Sequence, residues 1–121
     1  MSERRVLIVE DEPVNSRLLE ILFTRWGWRT HAVVSGQQFL DTALAGGFHL
    51  AVVDLRLPDL DGLEAIRRLR IQEQTRLPVV VVTAEAAPAG RERALAAGAD
   101  SYLSKPFRAE DLESEIERLM G

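Results

Sequence analysis

Three stretches of this chain are apolar without a break, and each stops abruptly on a polar or charged residue. Val6-Leu7-Ile8-Val9 stops on Glu10-Asp11, Leu50-Ala51-Val52-Val53 on Asp54, and Val79-Val80-Val81-Val82 on Thr83. A shorter run, Tyr102-Leu103, stops on Ser104-Lys105. Strands with one wet face alternate apolar and polar residues, so runs without alternation belong to strands covered on both faces. A charge at the end of such a strand is costly unless it is paired. Glu10, Asp11, Asp54, Thr83 and Lys105 therefore make sense if they meet in space, with Asp54 at the centre.

Between these runs the apolar spacing is helical. Pro13 suits a first helical turn, with Asp11 or Glu12 as cap. The helix it opens runs to about Trp26, with Val14, Leu18, Leu19, Leu22, Phe23 and Trp26 as its apolar stripe, and Gly27 stops it. Trp28 to Val34 alternates more and suits an edge strand. Ser35 and Gln38 have capping-box spacing and open a second helix carrying Phe39, Leu40, Ala43 and Leu44, which ends at Gly46-Gly47. Phe48 to Asp54 is the next strand. After the loop with Pro58 and Gly62, Asp61 caps a third helix to about Gln74, with Ala65, Ile66 and Leu69 inward and Arg67, Arg68 and Arg70 toward water. Asp59 reads as a turn residue. A fourth helix runs from near Pro88 to Gly98; with alanines and few large anchors, it should be the least firmly packed. Ala99 to Ser104 is a short last strand. Ala109 to Met120 is a last helix burying Leu112, Ile116, Leu119 and Met120.

This order is five repeats of strand then helix with short connections, which predicts an α/β, doubly wound (βα)5 domain over residues 1–121 with a five-stranded parallel sheet. The first, third and fourth strands are the most apolar and the second and fifth look like edges, so the sheet order should be 2-1-3-4-5. Ligands of such sheets sit beyond the carboxyl ends of the strands, where the strand order reverses. Here that point lies between Glu10-Asp11 and Asp54.

Composition removes several chemistries. There is no cysteine, hence no disulfide and no thiol chemistry. The net charge of −4 is interspersed, without the basic stripe of a nucleic-acid binder, so no direct nucleic-acid binding is expected. No stretch approaches the roughly 20 apolar residues of a membrane span, and the N-terminus leads straight into a strand; no membrane contact and a cytoplasmic location are expected. Of fifteen basic residues only Lys105 is lysine, which suits a position needing a compact ammonium where a planar guanidinium does not serve. His31 and His49 read as ordinary edge or surface residues.

Carboxylates gathered at the switch point suit Mg²⁺ (or Mn²⁺), which takes one or two carboxylates and keeps several waters. A metal beside a hydroxyl and a lysine is a phosphoryl site, where the work is positioning and electrostatics. Asp54, being central, is the candidate nucleophile. Thr83 can hydrogen-bond a phosphoryl oxygen and Lys105 can reach over from the last strand.

Glu10-Asp11, the segment Asp54 to Gly62, Thr83-Ala84, Gly98-Ala99-Asp100 and Tyr102-Leu103-Ser104-Lys105-Pro106-Phe107, in this order and spacing, resemble a response-regulator receiver domain of two-component phosphorelay signalling. The resemblance covers essentially the whole chain and implies a flavodoxin-like fold. It implies that Asp54 accepts a phosphoryl group from the phosphohistidine of a sensor histidine kinase or phosphotransfer domain. Asp11 and Asp54 would ligate Mg²⁺ with the Arg56 backbone carbonyl, and Glu10 would act through water. Thr83 and Tyr102 would be the switch pair, Lys105 would pair with phosphoryl oxygens, and the Lys105-Pro106 bond would be cis. The domain would be a signalling switch acting only on its own phosphoryl group, not a true enzyme, and its readout would be the surface of the fourth helix, fifth strand and fifth helix. A phosphorylation-dependent dimer fits the resemblance, although Ser101, standing where an acidic residue often follows Asp100, argues against one built on a charge network. Glu12-Pro13-Val14-Asn15 and Trp26-Gly27-Trp28 resemble receivers attached to hybrid kinases. Beyond the resemblance, Arg56 and Glu85 border the same site and are expected to pair across its mouth. The alternative is a degenerate receiver, the same fold serving only as a protein-binding module. A flavodoxin-like cofactor binder lacks its phosphate loop here, and a dehalogenase-type phosphatase would need an aspartate where Arg56 stands.

Overall fold

The computed structural model describes residues 3–84 and 89–121. The elements are β1 (Arg5–Val9), α1 (Pro13–Arg25), β2 (Arg29–Val33), α2 (Gly36–Ala45), β3 (Leu50–Val53), α3 (Gly62–Gln72), β4 (Val79–Thr83), α4 (Gly90–Ala97), β5 (Ser101–Ser104) and α5 (Ala109–Met120). The strands form one parallel sheet in the order β2-β1-β3-β4-β5. Among the described residues no helix is long and apolar enough to cross a membrane.

The unbroken apolar runs supply two core layers at once, because successive side chains of a strand point to opposite faces. Leu7, Val9, Ala51, Val53, Val79 and Val81 face α2, α3 and α4 through Phe39, Leu40, Ile66, Leu69, Ala94 and Ala97. Val6, Ile8, Leu50, Val52, Val80 and Val82 face α1 and α5 through Leu19, Phe23, Leu112 and Ile116, with Trp28 edge-on to Phe23. Only Ala94 and Ala97 of α4 are buried, so this helix has small anchors, as its composition implies; Pro88, where the sequence places its start, lies outside the described residues.

Four local expectations need correction. The α1 stripe is narrower than its spacing implies: Leu19 and Phe23 are buried, but Val14 is 79% and Leu18 50% exposed, because α1 covers the sheet edge with one narrow face. Arg70 does not face water. α3 ends at Gln72 rather than near Gln74, and Arg70 in its last turn donates to Gly98 O, Leu77 O, Glu73 and Asp100 at 2.7–3.1 Å. Asp100 also accepts from Arg76 and from the Val79 N–H. This knot joins the end of α3, the start of β4 and the turn before β5, at the edge of the sheet opposite the strand ends that carry Asp54. Finally, the capping box of α2 closes on one side only. Ser35 Oγ accepts from Gln38 N, but Gln38 Oε1 accepts from Val34 N, one residue earlier than the motif requires.

Candidate functional site

Of the residues singled out at the strand ends, Glu10, Asp54 and Lys105 are each the first past a strand, Thr83 is the last of β4 and Asp11 is the second past β1; for the first three the backbone ladder reaches one rung further to hold them. Glu10 N donates to Val33 O, the last carbonyl of β2; Asp54 N donates to Val9 O, the last of β1; Lys105 N donates to Thr83 O, the last of β4. Register therefore fixes where these side chains start, and the chain after each strand is free to turn away.

The side chains converge. Lys105 Nζ donates to Asp54 Oδ2 at 2.9 Å and to Glu10 Oε1 at 2.5 Å. The second oxygen of each carboxylate is also held: Asp54 Oδ1 accepts from Arg56 N at 3.0 Å, and Glu10 Oε2 from Glu12 N at 3.1 Å. The cap of α1 is thus made differently from the expectation. Glu12 sits at the N-cap with no side-chain cap bond, and it is Glu10 that turns back on the helix entry. Glu10, Asp54 and Thr83 are buried. The Lys105–Pro106 peptide bond is cis, as the resemblance implied.

Burial drives the Glu10 carboxyl above its ordinary range, helped by the Asp54 charge and opposed by the bonds from Lys105 and Glu12. For Lys105 burial, the largest influence, works against the charge, but the hydrogen bonds and charges of Asp54 and Glu10 outweigh it and leave the ammonium above its ordinary value. One cation thus serves two buried carboxylates, and the exposed Asp11 adds a third negative charge one residue beyond Glu10.

The sequence predicts three carboxylates in one small volume; the structure brings Glu10 and Asp54 together through Lys105 and leaves Asp11 at the rim. Among the described residues no three acid or histidine side chains form a metal cage by themselves. The donor set of hard oxygens with uncompensated negative charge fits a cation such as Mg²⁺, which needs few carboxylates and completes its shell with carbonyl and water oxygens. A thiolate- or imidazole-preferring metal does not fit.

The loop after Asp54 is shaped by a glycine. A Cβ on Gly62 would stand 2.7 Å from Leu55 Cα and 3.0 Å from Asp54 O, so only glycine lets α3 start against Asp54 and Leu55. Asp61 caps α3 through the Leu63 N–H at 2.8 Å, as its position predicts. Tyr102 is half-buried on β5 with its hydroxyl over Gly90, where a Cβ would come within 2.9 Å, and Arg91 donates to the Tyr102 carbonyl. Ser101, unremarked as a partner in the sequence, is buried and bonds Glu115 of α5. The expected pairing of Arg56 with Glu85 falls on a residue outside the described ones.

Beside Lys105 lies an apolar cleft of about 350 Å³ lined by Leu18, Leu19, Ala84, Pro106 and Phe107. It continues into the exposed α1 face of Val14, Leu18 and Ile21. Sequence reasoning missed this surface because helical spacing alone assigns Val14 and Leu18 to the core stripe.

The family model of the response regulator receiver domain matches residues 6–117. The response regulator ArlR of Staphylococcus haemolyticus is 36% identical over 115 residues, which are 95% of this chain and 52% of that protein. The chain therefore spans about half the length of the curated relatives it matches. The receiver domain of a sensor histidine kinase from Pseudomonas aeruginosa PAO1, solved with a magnesium ion coordinated in its active-site cleft, is 36% identical with a TM-score of 0.88 and 97% of each chain covered. A CheY-like response regulator receiver domain from Methanospirillum hungatei JF-1 is 26% identical with a TM-score of 0.90, covering 98% of this chain and 94% of its own.

Proposed function

The chain belongs to the response regulator receiver domain family, and from that premise we propose that Asp54 is its phosphoryl acceptor in a cation-dependent transfer from a phosphohistidine. The observation that carries this reading is the holding of Asp54, with Oδ2 at 2.9 Å from Lys105 Nζ and Oδ1 on the Arg56 N–H. Asp54 Oδ forms the new O–P bond while the P–N bond of the donor imidazole breaks, and the imidazole leaves. Lys105 exchanges its contact with Asp54 for one with a phosphoryl oxygen, and Glu10 keeps the ammonium in place meanwhile. Thr83, buried at the end of β4, offers its hydroxyl to another phosphoryl oxygen, and Tyr102 turns toward the space this leaves. Asp11, Asp54 and the Arg56 carbonyl would hold Mg²⁺ (Mn²⁺ serving in its place), with Glu10 acting through water. The metal would neutralise charge on the phosphoryl oxygens. The magnesium in the cleft of the Pseudomonas relative supports that assignment.

The donor, a histidine kinase or phosphotransfer domain in the cytoplasm, docks on the apolar cleft beside Lys105 and the α1 face of Val14, Leu18 and Ile21. Continuity of this surface with the acceptor residue is the reason. The readout is a population shift of α4, β5 and α5, supported by the small anchors of α4. The domain turns over only its own phosphoryl group.

The deciding experiment is intact-protein mass after incubation with a small phosphodonor, with and without Mg²⁺, beside Asp54→Asn. One phosphoryl adduct that needs Mg²⁺ and disappears in Asp54→Asn is the expected result. No adduct from either the small donor or a phosphorylated kinase domain would leave the degenerate protein-binding module in its place.

A further inference from the structure

The acceptor loop, residues 54–62, is fixed at both ends by the sheet and by α3. Its middle projects past the strands, with Arg56, Pro58 and Asp59 exposed. Asp59 nevertheless reaches another element: Oδ1 accepts from Gly36 N at 2.8 Å and Oδ2 from Gln37 N at 3.1 Å. These are the first two N–H groups of α2. The third, Gln38 N, goes to Ser35 Oγ, and Phe39 N to Ser35 O. The orphan donors of a helix start are thus shared between a local cap and a carboxylate more than twenty residues away. Gly36 makes the approach possible, since a Cβ there would lie 2.8 Å from Leu60 Cβ. The Gly36 bond also holds the Asp59 carboxyl below its usual range.

We propose that Asp59 is a positioning residue for the metal and phosphoryl site: by clasping the start of α2 through both oxygens it fixes the loop that carries the Arg56 peptide. That peptide has its N–H on Asp54 and its carbonyl directed, in the reading above on which this proposal rests, to the cation. A loop end held by two charge-assisted bonds samples fewer positions, so the carbonyl is in place before the cation arrives.

The test compares Asp59→Ala with Ser35→Ala in the whole chain, by calorimetric titration with Mg²⁺ alone and by hydrogen exchange of the Arg56 amide. Both variants remove capping bonds from α2 and both should lower the unfolding midpoint. Only Asp59→Ala should weaken Mg²⁺ binding, by about three- to tenfold, at or below the low end for outer-shell partners, and only it should speed exchange at Arg56. Phosphorylation by a small donor should recover in Asp59→Ala at saturating Mg²⁺, and Asp59→Asn, which keeps one acceptor, should fall between. Equal Mg²⁺ affinity and equal exchange in Asp59→Ala and the unaltered chain overturn the proposal. If the unaltered chain binds no Mg²⁺, the phosphoryl reading fails separately, and the Arg56 exchange alone decides whether Asp59 holds the loop.

Discussion

Lys105 Nζ stands 2.9 Å from Asp54 Oδ2 although 51 residues separate them. The Lys105 side chain is 16% exposed and the Glu10 side chain, its other partner, not at all. Removing it leaves a buried carboxylate without its cation, which is far costlier than losing a surface pair. Lys105→Met should lower stability by about 1–3 kcal/mol, with less loss at pH 5 than at pH 8, because Glu10 takes up a proton more readily than an ordinary glutamate. Lys105→Arg should not restore the site, since a planar fork does not fit between two carboxylate oxygens. Denaturant unfolding at the two pH values checks this; equal losses at both would contradict it.

Gly62→Ala should destabilise the chain by about 1–3 kcal/mol, despite the usual gain of alanine over glycine in a helix. The added methyl meets backbone at Leu55 and Asp54, which cannot swing away. At Gly90 the added methyl meets the end of the Tyr102 side chain instead, so Gly90→Ala should fold nearly normally and alter the tyrosine environment. Unfolding midpoints and near-ultraviolet spectra of the two variants separate these effects.

Leu18→Asp places a charge on the exposed α1 face and should change stability by no more than about 0.5 kcal/mol. It should slow phosphoryl transfer from a kinase domain at least about tenfold, the effect of about 1.4 kcal/mol at an interface anchor, and leave labelling by a small donor unchanged. Equal slowing with both donors would mean that α1 acts on the site itself and is no docking surface.

Arg70→Ala strips partners from Asp100, Glu73 and two carbonyls at once. The expected loss is about 2–4 kcal/mol. Arg70→Lys should recover little of it, because one ammonium cannot span four acceptors in a plane. Small-donor phosphorylation of the folded variant should be unaffected, as the knot lies at the opposite ends of the strands. A phosphorylation defect in folded Arg70→Ala would show coupling across the sheet.

Glu115 is held below its ordinary value of 4.5 by the Arg118 bond first and by Ser101 second. A depressed carboxyl contributes stability that is full above the unfolded value and disappears as pH falls through the folded one. Stability should therefore decline from about pH 4.5 downward, and Glu115→Gln or Ser101→Ala should flatten that decline by lowering stability at neutral pH while changing little at low pH, where the carboxyl is protonated in both states. Carbon-detected titration of the Glu115 carboxyl provides the direct check.

The architecture and most of the site were open to reading because they rest on short-range rules. Unbroken apolar runs report two covered faces. A residue just past a buried strand has one place to go, and a lone lysine among arginines stands out whatever the fold. Asp54, Glu10 and Lys105 could be brought together from strand order alone. Arg70, Asp59 and Ser101 could not. Arg70 has the spacing of a solvated helix face, and only the turn at Gly98 and Asp100 covers it. Asp59 looks like any turn residue until the start of α2 lies against it. Val14 and Leu18 have core spacing, yet α1 sits at a sheet edge too narrow to cover them.

The sequence by itself determined the β/α order, the sheet, and the residues placed at its carboxyl ends, because periodicity and strand burial are properties of neighbours along the chain. The tertiary structure decided which charges are shared: that Lys105 divides itself between Asp54 and Glu10, that Asp11 stays at the rim, and that Asp59 serves a helix that precedes it. Those depend on distances across the fold, where a hydrogen bond is made or lost within a few tenths of an ångström.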